Sequence, residues 1–197
     1  MNKQETQWAG EFGNEYVARN RVEWEKRAPF WQRVIDITSA AEFLEVGVNA
    51  GWNLRAIRSV SDEIAMTGID VNHAALLEAA GAGFDVEAAS ANELLSVFGD
   101  NCSELVFTAG VLIHIPPEEI HEVMRQIAIA SKQFVVAIEY PADREEEVNY
   151  RGNADMLWRR PYGDMYQALG FDLIESGELG EADGFGDGCK FWILEKA

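Results

Sequence analysis

From Ala41 onward the chain alternates apolar runs with stretches of helical spacing. The apolar runs cover 43–48, 64–71, 84–88, 104–109 and 134–140, and the helical stretches lie near 52–60, 73–80, 91–98 and 117–131. This alternation predicts an α/β domain: a Rossmann-like, mostly parallel sheet with helices on both faces. The last of these helices is predicted to open on Pro116-Pro117-Glu118-Glu119, since proline fits a first turn and acids favour its dipole. After the fifth run the rhythm breaks. Residues 141–163 are polar, charged and aromatic and read as an excursion. A short helix over 161–169 precedes an apolar run from Phe171, and a glycine-rich turn, Gly180 to Gly188, leads to Lys190-Phe-Trp-Ile-Leu-Glu-Lys. With no helix between them, the last two runs are predicted to pair as a hairpin. Residues 1–40 stand apart, with Trp8, Phe12, Tyr16, Trp24, Phe30 and Trp31 interleaved with charge, and Pro29 breaking or restarting a helix. They are expected to be a helical leader, packed on the core or acting as a lid, ahead of a domain spanning 41–197.

The junction of the first run with the first helix carries the chemistry. Glu45-Val-Gly47-Val48-Asn49-Ala-Gly51 is a small-residue turn, and the second run ends in a carboxylate, Asp70. Strand, tight turn, helix, strand and acid form the layout of a nucleoside-cofactor pocket, in which the acid accepts ribose hydroxyls. A phosphate-binding P-loop requires a lysine that this turn lacks. A dinucleotide site calls for GxGxxG, and an acid before the first glycine is a poor neighbour for a pyrophosphate. That acid suits a ligand carrying an ammonium and a sulfonium.

Charge narrows the partners. The net charge is −18, and residues 1–35 are nearly neutral, with 6 basic and 5 acidic side chains. Such a field repels polyanions, so a nucleic-acid partner is not expected, while a small anionic substrate held by a few arginines remains compatible. No apolar run approaches a membrane span, and the first residues lack a basic-then-apolar signal pattern, which predicts a cytoplasmic protein. Cys102 and Cys189 form no CxxC motif, and no His/Cys/Asp cluster has metal spacing, so no metal is expected.

On these residues the chain resembles the class I S-adenosylmethionine-dependent methyltransferases. Glu45, Gly47 and Gly51 match their first motif, with Asn49 in place of the middle glycine. Asn tolerates left-handed geometry better than other non-glycine residues. The resemblance extends through Asp70, Ser90, the stretch Phe107 to His114 and the terminal hairpin. It implies seven strands with the last antiparallel, and S-adenosylmethionine as cofactor. A narrower resemblance, to methylases associated with pseudaminic acid biosynthesis, rests on Trp8 to Tyr16 with Arg19-Asn20, Gly110 to Ile115, Glu139-Tyr140 and Tyr150-Arg151-Gly152. It implies methyl transfer to an O or N atom of an amino sugar, sugar acid or sugar nucleotide. A non-catalytic cofactor-binding subunit and a nucleic-acid methyltransferase are the alternatives.

The expected cofactor contacts are Glu45, Gly47, Val48, Asn49, Gly51, Asp70, Val71, Ser90, Ala91 and Ala109. Ser90 also fits a capping box with Glu93. Tyr16, Arg19 and Asn20 either close over the cofactor or cap the sheet. His114 is the candidate general base, or else a histidine packed among Val111, Leu112, Ile113 and Ile115. Glu139 and Tyr140 are further catalytic candidates, Glu139 as an alternative base for a hydroxyl acceptor; they either meet the substrate or end a surface strand. Tyr150, Arg151 and Arg159, with Arg160 beside them, are candidates to clamp a substrate anion or to lie on a solvated face. The run Glu145-Glu146-Glu147 is expected to be solvated.

Overall fold

The computed structural model describes residues 2–150, 152 and 154–197. The leader forms α1 (Lys3–Ala9), α2 (Glu11–Arg19), a 3₁₀ turn at Trp24–Arg27 and α3 (Ala28–Thr38). The alternating region follows as β1 (Glu42–Val46), α4 (Trp52–Val60), β2 (Ala65–Asp70), α5 (His73–Gly81), β3 (Asp85–Ala88), α6 (Leu94–Phe98), β4 (Ser103–Ala109), α7 (Ile120–Ala130) and β5 (Ser131–Glu139). A two-stranded ribbon, β6 (Glu146–Glu147) and β7 (Trp158–Arg159), occupies the excursion. Then come α8 (Tyr162–Ala168), β8 (Phe171–Leu179) and β9 (Cys189–Lys196).

The main sheet has seven strands in the order β3-β2-β1-β4-β5-β9-β8. β1 pairs in parallel with both β2 and β4, while β9 runs antiparallel to β5 and β8. The order reverses at β1 and β4, so their carboxyl ends open a crevice where α/β sheets bind ligands. Side-chain parity assigns the two faces. Phe43, Leu105, Phe107, Val136 and Ile193 pack with α3 and α4 on one side. Leu44, Val106, Val135, Ala137 and Leu194 pack with α7 and α8 on the other. Strand side chains alternate with period two, which is why adjacent residues fall in different clusters.

Two boundaries differ from the sequence reading. α7 begins at Ile120, and Pro116 to Glu119 form a turn before it. Glu119 is held outside the helix by accepting from Asn2 Nδ2 and Asn92 Nδ2, each at 2.6 Å. The leader also divides in two. Pro29 sits in the first turn of α3, where its missing N–H costs nothing. α3 is core: Trp31 is fully buried, its ring 4.5 Å from that of Phe107. α1 and α2 instead cross the crevice.

Candidate functional site

The turn after β1 is built from left-handed residues at alternate positions. Gly47, Asn49 and Gly51 have φ of 78°, 49° and 75°. A Cβ on Gly47 would lie 2.3 Å from Val111 Cγ2, so the turn is pressed against the segment that follows β4. The N–H groups of Gly47 and Val48 donate to the Ile69 carbonyl at 2.8 and 2.9 Å, which ties the turn to β2. Asp70 completes the lock: its Oδ2 accepts from Asn49 N–H and its Oδ1 from Asn72 N–H, both at 2.8 Å. Each oxygen keeps a second lone pair for a ligand hydroxyl. Burial raises the Asp70 pKa, opposed by the N–H groups of Asn72, Asn49 and Val71.

Glu45 is buried one turn below, with one oxygen engaged and one not. Asn53 Nδ2 donates to its Oε1 at 2.6 Å, while Oε2 has no hydrogen-bond partner among the described residues. Asn53 Oδ1 in turn accepts from Arg27 Nη1 at 2.8 Å. Burial pushes the Glu45 carboxyl up to about 8, against the hydrogen bond from Asn53 and the Arg27 charge. An acid whose pKa rises on folding stabilises the fold in its protonated form. That contribution is complete below about 4.5, the ordinary value, and is lost as pH climbs through about 8. The ligand-free protein is therefore expected to melt at lower temperature as pH rises through this window. Glu45→Gln should remove this residue's share of the fall between about 4.5 and 8, as thermal melts across pH would show; an unchanged profile would refute the assignment.

The segment after β4 brings three more groups together. His114 ends a 3₁₀ turn, Leu112–His114, and its Nδ1 lies 2.7 Å from the Met156 carbonyl. A carbonyl only accepts, so Nδ1 carries the proton and Nε2 keeps its lone pair. The ring packs against Trp8 and Tyr150, with centroids 4.6 and 5.3 Å away. Burial lowers its pKa to about 4, with the Met156 contact opposing. Glu139 does not join the lining of the crevice. It is fully buried, accepting from Val111 and Leu112 N–H at 3.1 Å each and from Ile113 N–H at 3.4 Å. Burial raises it to about 7 in spite of these bonds. The carboxylate clasps the turn that carries His114, so the expected substrate contact is replaced by a positioning one. Tyr140 does face open space, as a phenol whose pKa burial raises to about 12.

These residues frame two adjoining spaces. The first is a cleft floored by the turn after β1 and covered by α1 and α2. Of the residues expected to bind a cofactor, Glu45, Gly47, Val48, Asn49, Asp70, Val71, Ser90, Ala91, Ala109, Tyr16 and Asn20 line it. Gly51 lies beneath as the N-cap of α4. Ser90 N–H is already donated to the Glu93 carboxylate at 2.9 Å, the capping contact. The second space is lined by Arg21, Lys26, Arg27, Tyr140, Tyr150 and Phe185 among others, and Ala109, Gly110, His114, Tyr16 and Asn20 border both.

α1 and α2 roof the first space. Asn72 Nδ2 donates to Trp8 O at 2.9 Å and Asn14 Oδ1 at 3.0 Å, and Gln4 Nε2 donates to Asp155 O at 3.0 Å. Gly13 permits the close pass, since a Cβ there would lie 1.8 Å from Trp8 O. Arg19 lies outside both spaces; it is exposed, 3.7 Å from a Glu15 oxygen, its guanidinium 5.7 Å from the Tyr16 ring. Arg159 is also exposed, on the ribbon 4.0 Å from Glu146, away from both spaces. A long flexible arginine at an exposed strand position reaches solvent and a neighbouring acid before it reaches the crevice. Its neighbour Arg160 is buried, donating to Glu145 at 2.7 Å and to Leu112 O at 3.1 Å. Arg151 lies outside the described residues. Sequence reading missed Arg27, Asn53 and Asn72; the nearly neutral leader of an otherwise acidic chain was the available signal for the first.

No family model matches the chain, and no curated protein matches it. Solved structures do. Burkholderia thailandensis 1,6-didemethyltoxoflavin-N1-methyltransferase, solved with 1,6-didemethyltoxoflavin and S-adenosylhomocysteine bound, aligns with a TM-score of 0.74 at 13% identity, over 98% of this chain and 87% of that one. Magnesium protoporphyrin IX methyltransferase from Synechocystis, with S-adenosylhomocysteine bound, gives 0.68 at 12% identity over 97% of both chains. The cyclase SpnF gives 0.63 at 16% identity, over 86% of this chain and 80% of its own. The chain thus has the Rossmann-like methyltransferase fold. The cyclase among its neighbours is a reminder that the fold hosts more than one chemistry.

Proposed function

We propose that this protein is an S-adenosylmethionine-dependent methyltransferase acting on a small polar acceptor. The observation that carries this reading is the left-handed turn Gly47-Asn49-Gly51, pinned by Asp70, beside the unpartnered buried oxygen of Glu45. The residues fit the cofactor: Asp70 has lone pairs for a ribose, and Glu45 Oε2 lacks a donor that an ammonium would supply. Bound here, S-adenosylmethionine would supply a methyl group on a sulfonium, an electrophile needing no metal. The chain's part is alignment, which holds reacting atoms about 3–3.5 Å apart. Ala109 and Gly110, small residues between the two spaces, leave the passage open. The α1–α2 roof excludes water. His114 Nε2 takes a proton from a hydroxyl acceptor.

The second space suits an amino sugar, sugar acid or sugar nucleotide, since tyrosines and cations in its wall match hydroxyl and acidic groups. The narrower sequence resemblance supports the same acceptor class. The net charge of −18 gives no support to a nucleic-acid acceptor.

Calorimetry with S-adenosylhomocysteine and with NAD tests the binding step, and S-adenosylhomocysteine release across a panel of small acceptors tests transfer. Binding of the homocysteine nucleoside but not NAD is expected, and Asp70→Ala should weaken it roughly ten- to hundredfold, the value of hydrogen bonds to a charged group. Unchanged affinity in that variant would remove the ribose role. Nucleoside binding without turnover on any acceptor would favour a cofactor-binding subunit instead.

A further inference from the structure

Arg27 stands at the wall between the two spaces and lines both. Its Nε donates to the Gly184 carbonyl at 2.9 Å and its Nη1 to Asn53 Oδ1 at 2.8 Å, both neutral acceptors. The Phe185 ring covers its guanidinium at 4.3 Å. Among the described residues no carboxylate comes within ion-pair distance of it, although this chain carries 34 acids to 16 bases. The neighbouring cations on the same wall are different: Arg21 is paired with Glu78, and Lys26 with Glu23. Arg27 is partly buried, with Glu45 reaching it only through Asn53. Partial burial with no carboxylate at pairing distance is unfavourable for a cation, and guanidinium geometry is suited to a planar, two-oxygen anion. Gly184 and Asn53 also fix the orientation of the fork, so little side-chain freedom is lost when an anion arrives.

We propose that Arg27 is the anchor for a ligand carboxylate at the junction of the two spaces. The carboxylate has two possible sources, the amino-acid end of the methyl donor and an acidic acceptor. The inference rests on the methyltransferase reading for its choice of probes. If the donor is the source, Glu45 Oε2 and Arg27, linked through Asn53, receive the ammonium and the carboxylate of one zwitterion. If the acceptor is the source, Arg27 selects sugar acids over neutral sugars.

The test compares wild type with Arg27→Gln, which keeps an N–H donor at the position that serves Gly184 but removes the charge, and with Arg27→Lys, which keeps the charge. Calorimetry is run with S-adenosylhomocysteine and with 5′-methylthioadenosine, which lacks the amino-acid end. In protein saturated with S-adenosylhomocysteine, glucuronate and N-acetylneuraminate are titrated against glucose and N-acetylmannosamine. A donor carboxylate predicts that Arg27→Gln loses roughly ten- to hundredfold in affinity for S-adenosylhomocysteine, with 5′-methylthioadenosine unchanged and Arg27→Lys intermediate. An acceptor carboxylate predicts unchanged nucleoside binding and loss of the preference for the acidic sugars. Wild-type selectivity in both arms for Arg27→Gln, or a wild type with neither preference, overturns the proposal. Failure of wild type to bind either nucleoside would instead overturn the methyltransferase reading, and the acidic-sugar titrations, repeated on the ligand-free protein, would then decide on Arg27. Thermal melts of the ligand-free variants separate a folding defect from a lost contact.

Discussion

Gly47→Ala should both destabilise the protein and abolish its affinity for S-adenosylhomocysteine. Two costs add. Gly47 has φ of 78°, where an L-residue pays about 1–2 kcal/mol. Its new Cβ would also lie 2.3 Å from Val111 Cγ2, an overlap that the backbone has to relieve at about 1–3 kcal/mol. Neither neighbour can move freely. The turn is bonded to Ile69 through two N–H groups, and Val111 is held by its own N–H on Glu139. Relief therefore displaces the turn from Asp70 or the 111–113 segment from Glu139, and both border the ligand spaces. Chemical denaturation should show a loss of about 2–5 kcal/mol, and calorimetry no detectable nucleoside binding. Adding Val111→Ala should recover the contact share and leave the backbone share, a coupling that a double-mutant cycle reads directly. Gly81→Ala is the control: nothing lies within 4 Å of its Cβ and its φ is not positive, so stability should hold. A Gly47→Ala protein that binds the nucleoside as tightly as wild type would show that the turn is not the cofactor cradle.

The features legible in the sequence are those set by local backbone rules. Gly47 and Gly51 declare left-handed positions because only glycine enters that region freely, and Asn49 between them is the next most tolerant residue. The alternation of apolar runs with helical stretches declared a sheet covered by helices, and the lack of a helical stretch between the last two runs declared the β8–β9 hairpin. α7 was misjudged at its start because proline and acids fit a first turn as well as they fit the turn before it; Glu119 settles the matter through Asn2 and Asn92, which lie far off in sequence.

The site was less legible because side-chain direction depends on tertiary partners. Glu139 and Tyr140 are adjacent at the end of β5, so they point to opposite faces. Sequence offers both as substrate contacts; the sheet turns Glu139 into the 111–113 N–H groups and leaves Tyr140 facing the second space. Arg159 and Arg160 divide in the same way, one to solvent and one to Leu112 and Glu145. Arg27 was hidden for a different reason. Its importance comes from what it lacks, a carboxylate partner, and a missing contact leaves no trace in a one-dimensional pattern. In the leader, Pro29 marked the restart at α3 but not the fate of the aromatics on either side of it: Trp31 is core, and Trp8 meets His114.

His114→Ala is expected to cut turnover about 10²- to 10⁴-fold on a hydroxyl acceptor, the range for loss of a general base, with nucleoside affinity little changed. The same substitution should scarcely matter on an amine acceptor. The difference follows from the pKa of about 4 to which burial lowers His114. Methyl transfer to a hydroxyl produces an alkylated oxygen that is a strong acid, so even a weak imidazole base accepts its proton downhill. Transfer to an amine produces an ammonium of pKa about 10, and handing its proton to a base near 4 costs about 8 kcal/mol. An amine acceptor must reach His114 already neutral and shed its proton to solvent later. The Met156 carbonyl fixes the tautomer, so His114 presents Nε2 without rearrangement, and the group stays neutral at any pH above about 5. The wild-type rate on a hydroxyl acceptor should therefore show no limb near 6.5, the ordinary histidine value, and fall only as pH approaches about 4. Glu139→Gln should slow the reaction through turnover rather than acceptor KM, since Glu139 holds the turn and touches no ligand space. Equal losses for His114→Ala on oxygen and nitrogen acceptors, or a pH limb near 6.5, would remove the base and leave His114 as packing beneath Trp8.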